Sequence, residues 1–209
     1  MNNYLLSIDP SIKNTGFTLW DVKWCHGGCG KEICHHHTPL WVKSFDFKKQ
    51  YDFHKEIKLQ INDLIEITRK ISRLDLIIER GTFHSKNGIG YETQEHLRGF
   101  IAGQFNKLLT KDMLISNTEW WAYYEENYKE IIEILTHKIM NNFIKENNIK
   151  NININKKIYK KWIIYLKKEL SFKLANYLKN NYNWEPIINN HDEADSLLIG
   201  WYYLNKENK

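Results

Sequence analysis

Apolar and polar positions change period several times along this 209-residue chain, and each change marks an element. Residues 4–9 are a short apolar run that ends in Asp9 and Pro10. A proline cannot donate to a sheet ladder, so a strand stops there or lies at an edge. After Gly16 an extended segment restarts at residues 17–20, and the short connection suits an antiparallel hairpin. Residues 40–47 alternate with period two, the pattern of a strand with one wet face. From residue 51 to 73 the period lengthens: Ile57, Ile61, Leu64, Ile65, Thr68 and Ile71 recur at helical spacing. Residues 74–79 predict a fourth strand, ending in Glu79, and a polar, Gly-containing loop covers 80–90.

A helix follows to about residue 110, with Leu97, Phe100, Ile101 and Phe105 on one face, and residues 113–116 predict a short fifth strand. Asn117 or Thr118 is placed to cap a helix beginning at Glu119. A long helical pattern over 123–145 ends in the Asn/Ile-rich stretch 147–155, which reads as a linker or exposed loop. Residues 156–179 read as helix in one or two pieces, 180–186 as a break, and about 191–204 as a last helix. Three strands, helix, strand, helix, strand and then helices predict an α/β architecture around one mixed sheet.

Composition narrows the classes. With 42% hydrophobic residues, eight Trp and twelve Tyr, the chain can fill the core of one domain. No apolar run approaches the roughly 20 residues of a membrane span, and Met1-Asn2-Asn3 lacks the basic and apolar regions of a signal peptide. A cytoplasmic protein with no membrane role is expected. The abundance of Asn, Ile and Lys fits an AT-rich coding sequence and carries little functional weight. The net charge of +5 is uneven: residues 156–180 hold eight Lys against Glu169, a local +7 that leaves the remainder at −2. Such a segment suits a polyanion.

Four acids stand where charge is costly. Asp9 and Glu79 each end an apolar strand, and Asp192 and Asp195 lie three apart on the last helix, roughly 5–6 Å between Cβ atoms. Two carboxylates that close repel unless one is protonated or a cation lies between them. Each acid alone has an ordinary use: Asp9 as a turn-former, Glu79 as a partner of Arg80 or Arg73, the helical pair as complements to the macrodipole. Together they converge on one sheet edge and point to bound divalent metal.

These stretches resemble a known family. Ser7-Ile8-Asp9-Pro10-Ser11-Ile12-Lys13-Asn14-Thr15-Gly16-Phe17 is similar to the opening motif of the RuvC-type Holliday junction resolvases. Ile77-Ile78-Glu79 with Phe83-His84-Ser85-Lys86-Asn87 resembles their second block, and residues 191–199 their third. Leu97-Arg98-Gly99 falls where the family carries an Arg-Gly in its dimer-forming helix. The resemblance implies an RNase H-like fold, with a mixed five-stranded sheet of three antiparallel and two parallel strands flanked by helices, and a homodimer. It implies Mg²⁺ or Mn²⁺, two ions per site, held by Asp9, Glu79, Asp192 and Asp195, and hydrolysis of DNA at four-way junctions by paired nicks. A lysine near the scissile phosphate, Lys168 or Lys173 by position, would offset developing charge. His191 is a helix cap or a support for the ligands, with the cap favoured.

The chain also departs from that pattern. Phe83 lies four residues after Glu79, where three is expected for the family's aromatic wedge; it either stacks on an opened base, with Lys86 nearby on the DNA, or packs on its own helix. Residues 120–167 form a helical, partly basic insertion, and Lys156, Lys157, Lys160 and Lys161 with interleaved aromatics suit DNA contacts. Residues 24–38 hold all three Cys and four His; Cys25, Cys29, Cys34 and His37 could form a structural Cys₃His zinc site, though the spacings are loose, or the thiols are free.

One nuclease domain over 1–209 is therefore expected. The rivals are a broader branched-DNA nuclease acting on forks or flaps, and a non-catalytic zinc-bearing DNA-binding module. An actin-like ATPase would need a second Gly-rich phosphate loop and a larger chain, and the sequence offers neither.

Overall fold

In a computed structural model of the chain, residues 3–11, 14–23, 37–46, 58, 61–69, 71, 73–81, 88–147 and 156–206 are described. Strands β1 (Asn3–Asp9), β2 (Asn14–Val22), β3 (Thr38–Asp46), β4 (Arg73–Arg80) and β5 (Leu114–Ser116) form one sheet in the order β3-β2-β1-β4-β5. β1 pairs antiparallel with β2 and β2 with β3, whereas β1–β4 and β4–β5 are parallel. This is the mixed sheet expected. The helices are α1 (Asn62–Arg69), α2 (Gly88–Gln104), α3 (Asn117–Asn127), α4 (Lys129–Glu146), α5 (Lys156–Asn181) and α6 (His191–Asn205).

Side-chain alternation divides the core into two. Leu6 and Ile8 join Phe17, Leu19, Leu76 and Ile78 against α1 and α2, through Leu64, Ile65, Leu97 and Ile101. Leu5 turns the other way, with Trp20, Ile77 and Ile115, against α3, α5 and α6. Each fully buried Leu or Ile contributes roughly 1.5–3 kcal/mol. Because the strand period is two, Asp9 follows Leu5 and Ser7 to the α6 side, and Glu79 follows Ile77. Ile8 stands beside Ile78 in the parallel register, so both strands deliver their acids together.

Helix α6 is fastened over that side by buried polar groups as well as apolar ones. Ser7 Oγ donates to the Ser196 carbonyl at 2.7 Å, and Thr18 Oγ1 and Ser196 Oγ share a hydrogen bond of 2.8 Å. Trp20 Nε1 donates to Ser7 Oγ at 3.0 Å. Approach this close needs two missing side chains. A Cβ at Gly200 would overlap Trp20 and Ser7, and one at Gly16 would overlap the backbone of Asp192.

Several boundaries differ from expectation. Ser116, not Asn117 or Thr118, caps α3: its side chain accepts from Glu119 N, while Glu119 accepts from Ser116 N at 2.7 Å. This reciprocal box satisfies two backbone donors, more than Asn117 or Thr118 offers. The expected single helix over 123–145 breaks at Tyr128 (φ −129°, ψ 26°), whose ring is buried and whose hydroxyl accepts from Trp201 Nε1 at 3.1 Å. Tertiary burial there overrides local propensity. Arg73 opens β4 instead of closing a helix, α2 stops at Gln104 ahead of Asn106 in the left-handed region (φ 55°), and residues 156–181 are one helix. No helix among the described residues is long and apolar enough to cross a membrane.

Candidate active site

Asp9 ends β1, Glu79 stands near the end of parallel β4, and Asp192 and Asp195 occupy the first turns of α6, which lies across both strands. The fields of these acids overlap. Burial pushes the Asp9 carboxyl well above the usual carboxylate range; the charges of Glu79, Asp195 and Asp192 and a hydrogen bond with Glu79 add to it. Burial also pushes Asp195 up to about 8, with Glu79 and Asp192 adding and Ser171 and Lys168 opposing. Asp192 is raised by burial too, against His191, Lys168 and the Asn14 amide beside it.

Neighbouring residues aim these groups. Glu79 Oε1 accepts from Asn117 Nδ2 at 3.0 Å and from Trp120 Nε1 at 3.4 Å, and the Glu79 carbonyl accepts from Arg98 Nε at 2.7 Å. Glu79 is thus tied to α3 and α2, not to Arg80 or Arg73. Arg98, 2% exposed, also holds Glu95 at 2.7 Å, so it buttresses the end of β4 from beneath. Glu193, between the two site acids in sequence, turns away. Its carboxylate accepts from Ser44 N (3.0 Å), Asn189 N (2.6 Å) and Ser44 Oγ (3.2 Å), pinning the start of α6 to β3. Asn190, not His191, is the N-cap, accepting from Glu193 N at 3.0 Å. An amide oxygen at that position reaches the backbone donor, whereas the His191 ring packs edge-on against Phe172, centroids 5.7 Å apart.

The predicted residues therefore separate. Asp9, Glu79, Asp192, Asp195 and Lys168 come together; Lys173 is ion-paired with Glu169 at 3.7 Å. Lys160 and Lys161 are exposed on α5, and Lys156 and Lys157 begin that helix. His37 is buried immediately before β3. Cys25, Cys29, Cys34, Phe83 and Lys86 lie outside the described residues. Asn117, Trp120, Arg98 and Glu193 were not anticipated as supports. The Ser116-x-x-Glu119 box was readable, and it would have placed Asn117 on the first turn of α3.

The donor set suits a hard divalent cation, which takes oxygen ligands. Asp195 Oδ1 is buried with no hydrogen-bond partner, an acceptor left open. Among the described residues no group of three or more His, Cys, Asp or Glu side chains is arranged to hold a metal ion. Burial and the neighbouring acids favour the protonated form of Asp9, which shares a hydrogen bond with Glu79.

That protonation has a measurable consequence. Asp9 and Asp195 carry folded-state values above their unfolded ones, so the stability they contribute is full below about pH 4 and is lost as pH rises toward 8. In EDTA the melting temperature should fall over that window by on the order of 5 °C. Mg²⁺ should restore it most at the alkaline end, where ligands are deprotonated. Thermal scans check this, and Asp195→Asn should flatten the EDTA profile; a wild-type curve that rises with pH there contradicts the assignment. Asn117→Ala, which removes the 3.0 Å bond to Glu79, should weaken any Mg²⁺ stabilisation on the order of tenfold, read as a higher metal concentration for the half-maximal rise in melting temperature.

The sheet order and the helix closing over the carboxyl ends of β1 and β4 define the RNase H-like α/β fold. The chain is similar to Thermus thermophilus RuvC in complex with a Holliday junction substrate, with a TM-score of 0.51 and 11% identity over 96% of this chain and 94% of that one. A further Thermus thermophilus RuvC structure has a TM-score of 0.48 and 10% identity, over 96% and 95% of the two chains. The likeness is one of fold, and it is the fold that the motif resemblance implies. No family model matches the chain, and no curated protein does.

Proposed function

We propose that this chain is a divalent-metal-dependent endonuclease, a single RNase H-like domain that cuts branched DNA, four-way junctions foremost, by paired nicks from a homodimer. The observation that carries the reading is the cluster of Asp9, Glu79, Asp192 and Asp195 on one side of the sheet, where burial and the neighbouring acids raise Asp9 and Asp195 and burial raises Asp192. An acid cluster of that kind, at the carboxyl ends of two parallel strands, is costly to the fold and suited to cations.

These four side chains would hold Mg²⁺ or Mn²⁺, which when bound supplies Lewis acidity and charge neutralisation for phosphodiester hydrolysis. The rest falls to the chain itself. Asn117 and Trp120 orient the Glu79 carboxylate, and Asn14 stands beside Asp192. Glu193, held by Ser44 and Asn189, fixes the helix that carries the acid pair. Lys168 brings positive charge to Asp192 and Asp195, which supports a role for it in offsetting charge on a phosphate. Lys156, Lys157, Lys160 and Lys161 supply phosphate contacts, with Phe83 and Lys86 at the opened junction. A structural zinc held by Cys25, Cys29, Cys34 and His37 is a separate, non-catalytic part of the proposal.

The test is cleavage of labelled substrates with and without Mg²⁺. The reading predicts paired, metal-dependent nicks in a four-way junction and far slower cutting of a plain duplex. Equal cutting of forks and junctions would make it a broader branched-DNA nuclease. Binding without cleavage of any substrate would make it a non-catalytic DNA-binding module.

A further inference from the structure

Helix α5 has two halves that use the same face for different purposes. In its C-terminal half that face is buried: Ser171 is 2% exposed and Ala175 is fully buried, packed toward α6. In the N-terminal half the corresponding positions are Lys160, Lys161, Ile164, Lys167 and Lys168, at i, i+1, i+4, i+7 and i+8. On most helices this spacing carries an apolar stripe against a core. Here the four lysines are exposed and Ile164 is 61% exposed.

The opposite side of this half is occupied. Trp162 and Tyr165 each pack on Phe143 of α4 with centroids 5.2 Å apart, and the Tyr165 hydroxyl donates to Glu146. The nearby acids are engaged off the lysine face, Glu146 by Tyr165 and Glu169 by Lys173. The Phe172–His191 contact marks where α6 begins alongside α5. Residues 160–168 therefore run on past the first turn of α6 by about 12 Å, with the lysine face continuing the face that packs on α6. Lys168, its last member, is the one whose charge reaches Asp192 and Asp195.

The geometry points to a nucleic-acid arm: the overhanging half of α5 grips the backbone of a DNA strand through Lys160, Lys161 and Lys167, with Ile164 against its sugars, and leads that strand to the acid site. The overhang matches three to four nucleotides at about 3.4 Å per step of one strand. Lysines there act on phosphates and are blind to sequence; Ile164 adds apolar contact that salt does not screen. This inference rests on the nuclease reading and says which surface feeds the site.

The experiment measures binding of a labelled four-way junction to full-length Asp9→Asn protein in Mg²⁺ across a salt series. Adding Lys160→Ala and Lys161→Ala should lower the log–log salt slope by about 2 and weaken binding at least tenfold near 0.15 M salt. Arginine at both positions should restore the slope. Ile164→Ala should weaken binding several-fold and leave the slope unchanged, a split that general unfolding would not produce. An unchanged slope in the double alanine variant overturns the arm, as does unaltered affinity in Ile164→Ala. Without Asp9→Asn, a protein that binds with the predicted slope yet cuts nothing defeats the nuclease reading and leaves the arm standing. Normal cutting with an unchanged slope defeats the arm alone.

Discussion

Asp9→Asn should give a folded protein that binds a four-way junction within about threefold of the wild-type affinity and cuts it on the order of 10³-fold more slowly or not at all. The two halves of this expectation have different physical sources. On the proposed function cutting would need the carboxylate, because an amide in its place removes one negative oxygen donor from the proposed divalent-cation set. Binding, on the same proposal, would draw chiefly on lysine–phosphate contacts along α5, away from Asp9. A third effect has the opposite sign to a damaged core. Asp9 is buried beside three other acids, so at alkaline pH, where its carboxyl is ionised, a neutral isostere removes repulsion and the metal-free protein should melt at a higher temperature than wild type. Loss of junction binding with the fold intact would contradict this division; a lowered melting temperature would contradict the electrostatics.

Gly16→Ala should be the most damaging alanine substitution among the described glycines. Gly16 pairs with Asp9 across β1 and β2, and the missing side chain is what lets the first turn of α6 lie on the sheet. A Cβ there meets backbone atoms of Asp192, which no rotamer change can move aside. Alanine at 16 should cost about 2–3 kcal/mol and lower the melting temperature by about 4–12 °C. It should also carry Asp192 and Asp195 away from Asp9 and reduce cleavage well beyond the loss in stability. Gly103→Ala is the control: it sits in α2 with nothing within 4 Å of a Cβ, so helix propensity predicts a neutral or slightly stabilising change. Thermal unfolding and single-turnover cleavage of both variants decide it. Equal behaviour would mean that α6 is not held against β2 as described.

The strands, and the side of the sheet that the acids share, were legible because both rest on short-range pattern. Leu5-Leu6-Ser7-Ile8-Asp9 alternates between two faces, and that alternation alone carries Asp9 to the side where α6 lies. The three-residue spacing of Asp192 and Asp195 likewise sets them on one helical face. What stayed hidden depends on distant partners. Nothing near Tyr128 announces a helix break, since its cause is Trp201 on another helix. Asn117 and Trp120 look like an ordinary first turn until β4 brings Glu79 beside them. Glu193 is chemically indistinguishable from its acidic neighbours; only the positions of Ser44 and Asn189 make it a clamp. The motif resemblance implied the fold that the structure has, although identity to a solved RuvC chain is 11%.

The central claim is that four carboxylates from β1, β4 and α6 form one divalent-cation site. Calorimetric titration of Mn²⁺ into the full-length protein near pH 7.5, repeated in buffers of different ionisation heat, tests it most directly. The account predicts binding accompanied by proton release, with affinity at least about tenfold weaker in Asp9→Asn, Glu79→Gln and Asp195→Asn and little changed in Lys173→Ala. Mn²⁺ binding that is absent from the wild type, or equally tight in the three acid variants, would contradict it.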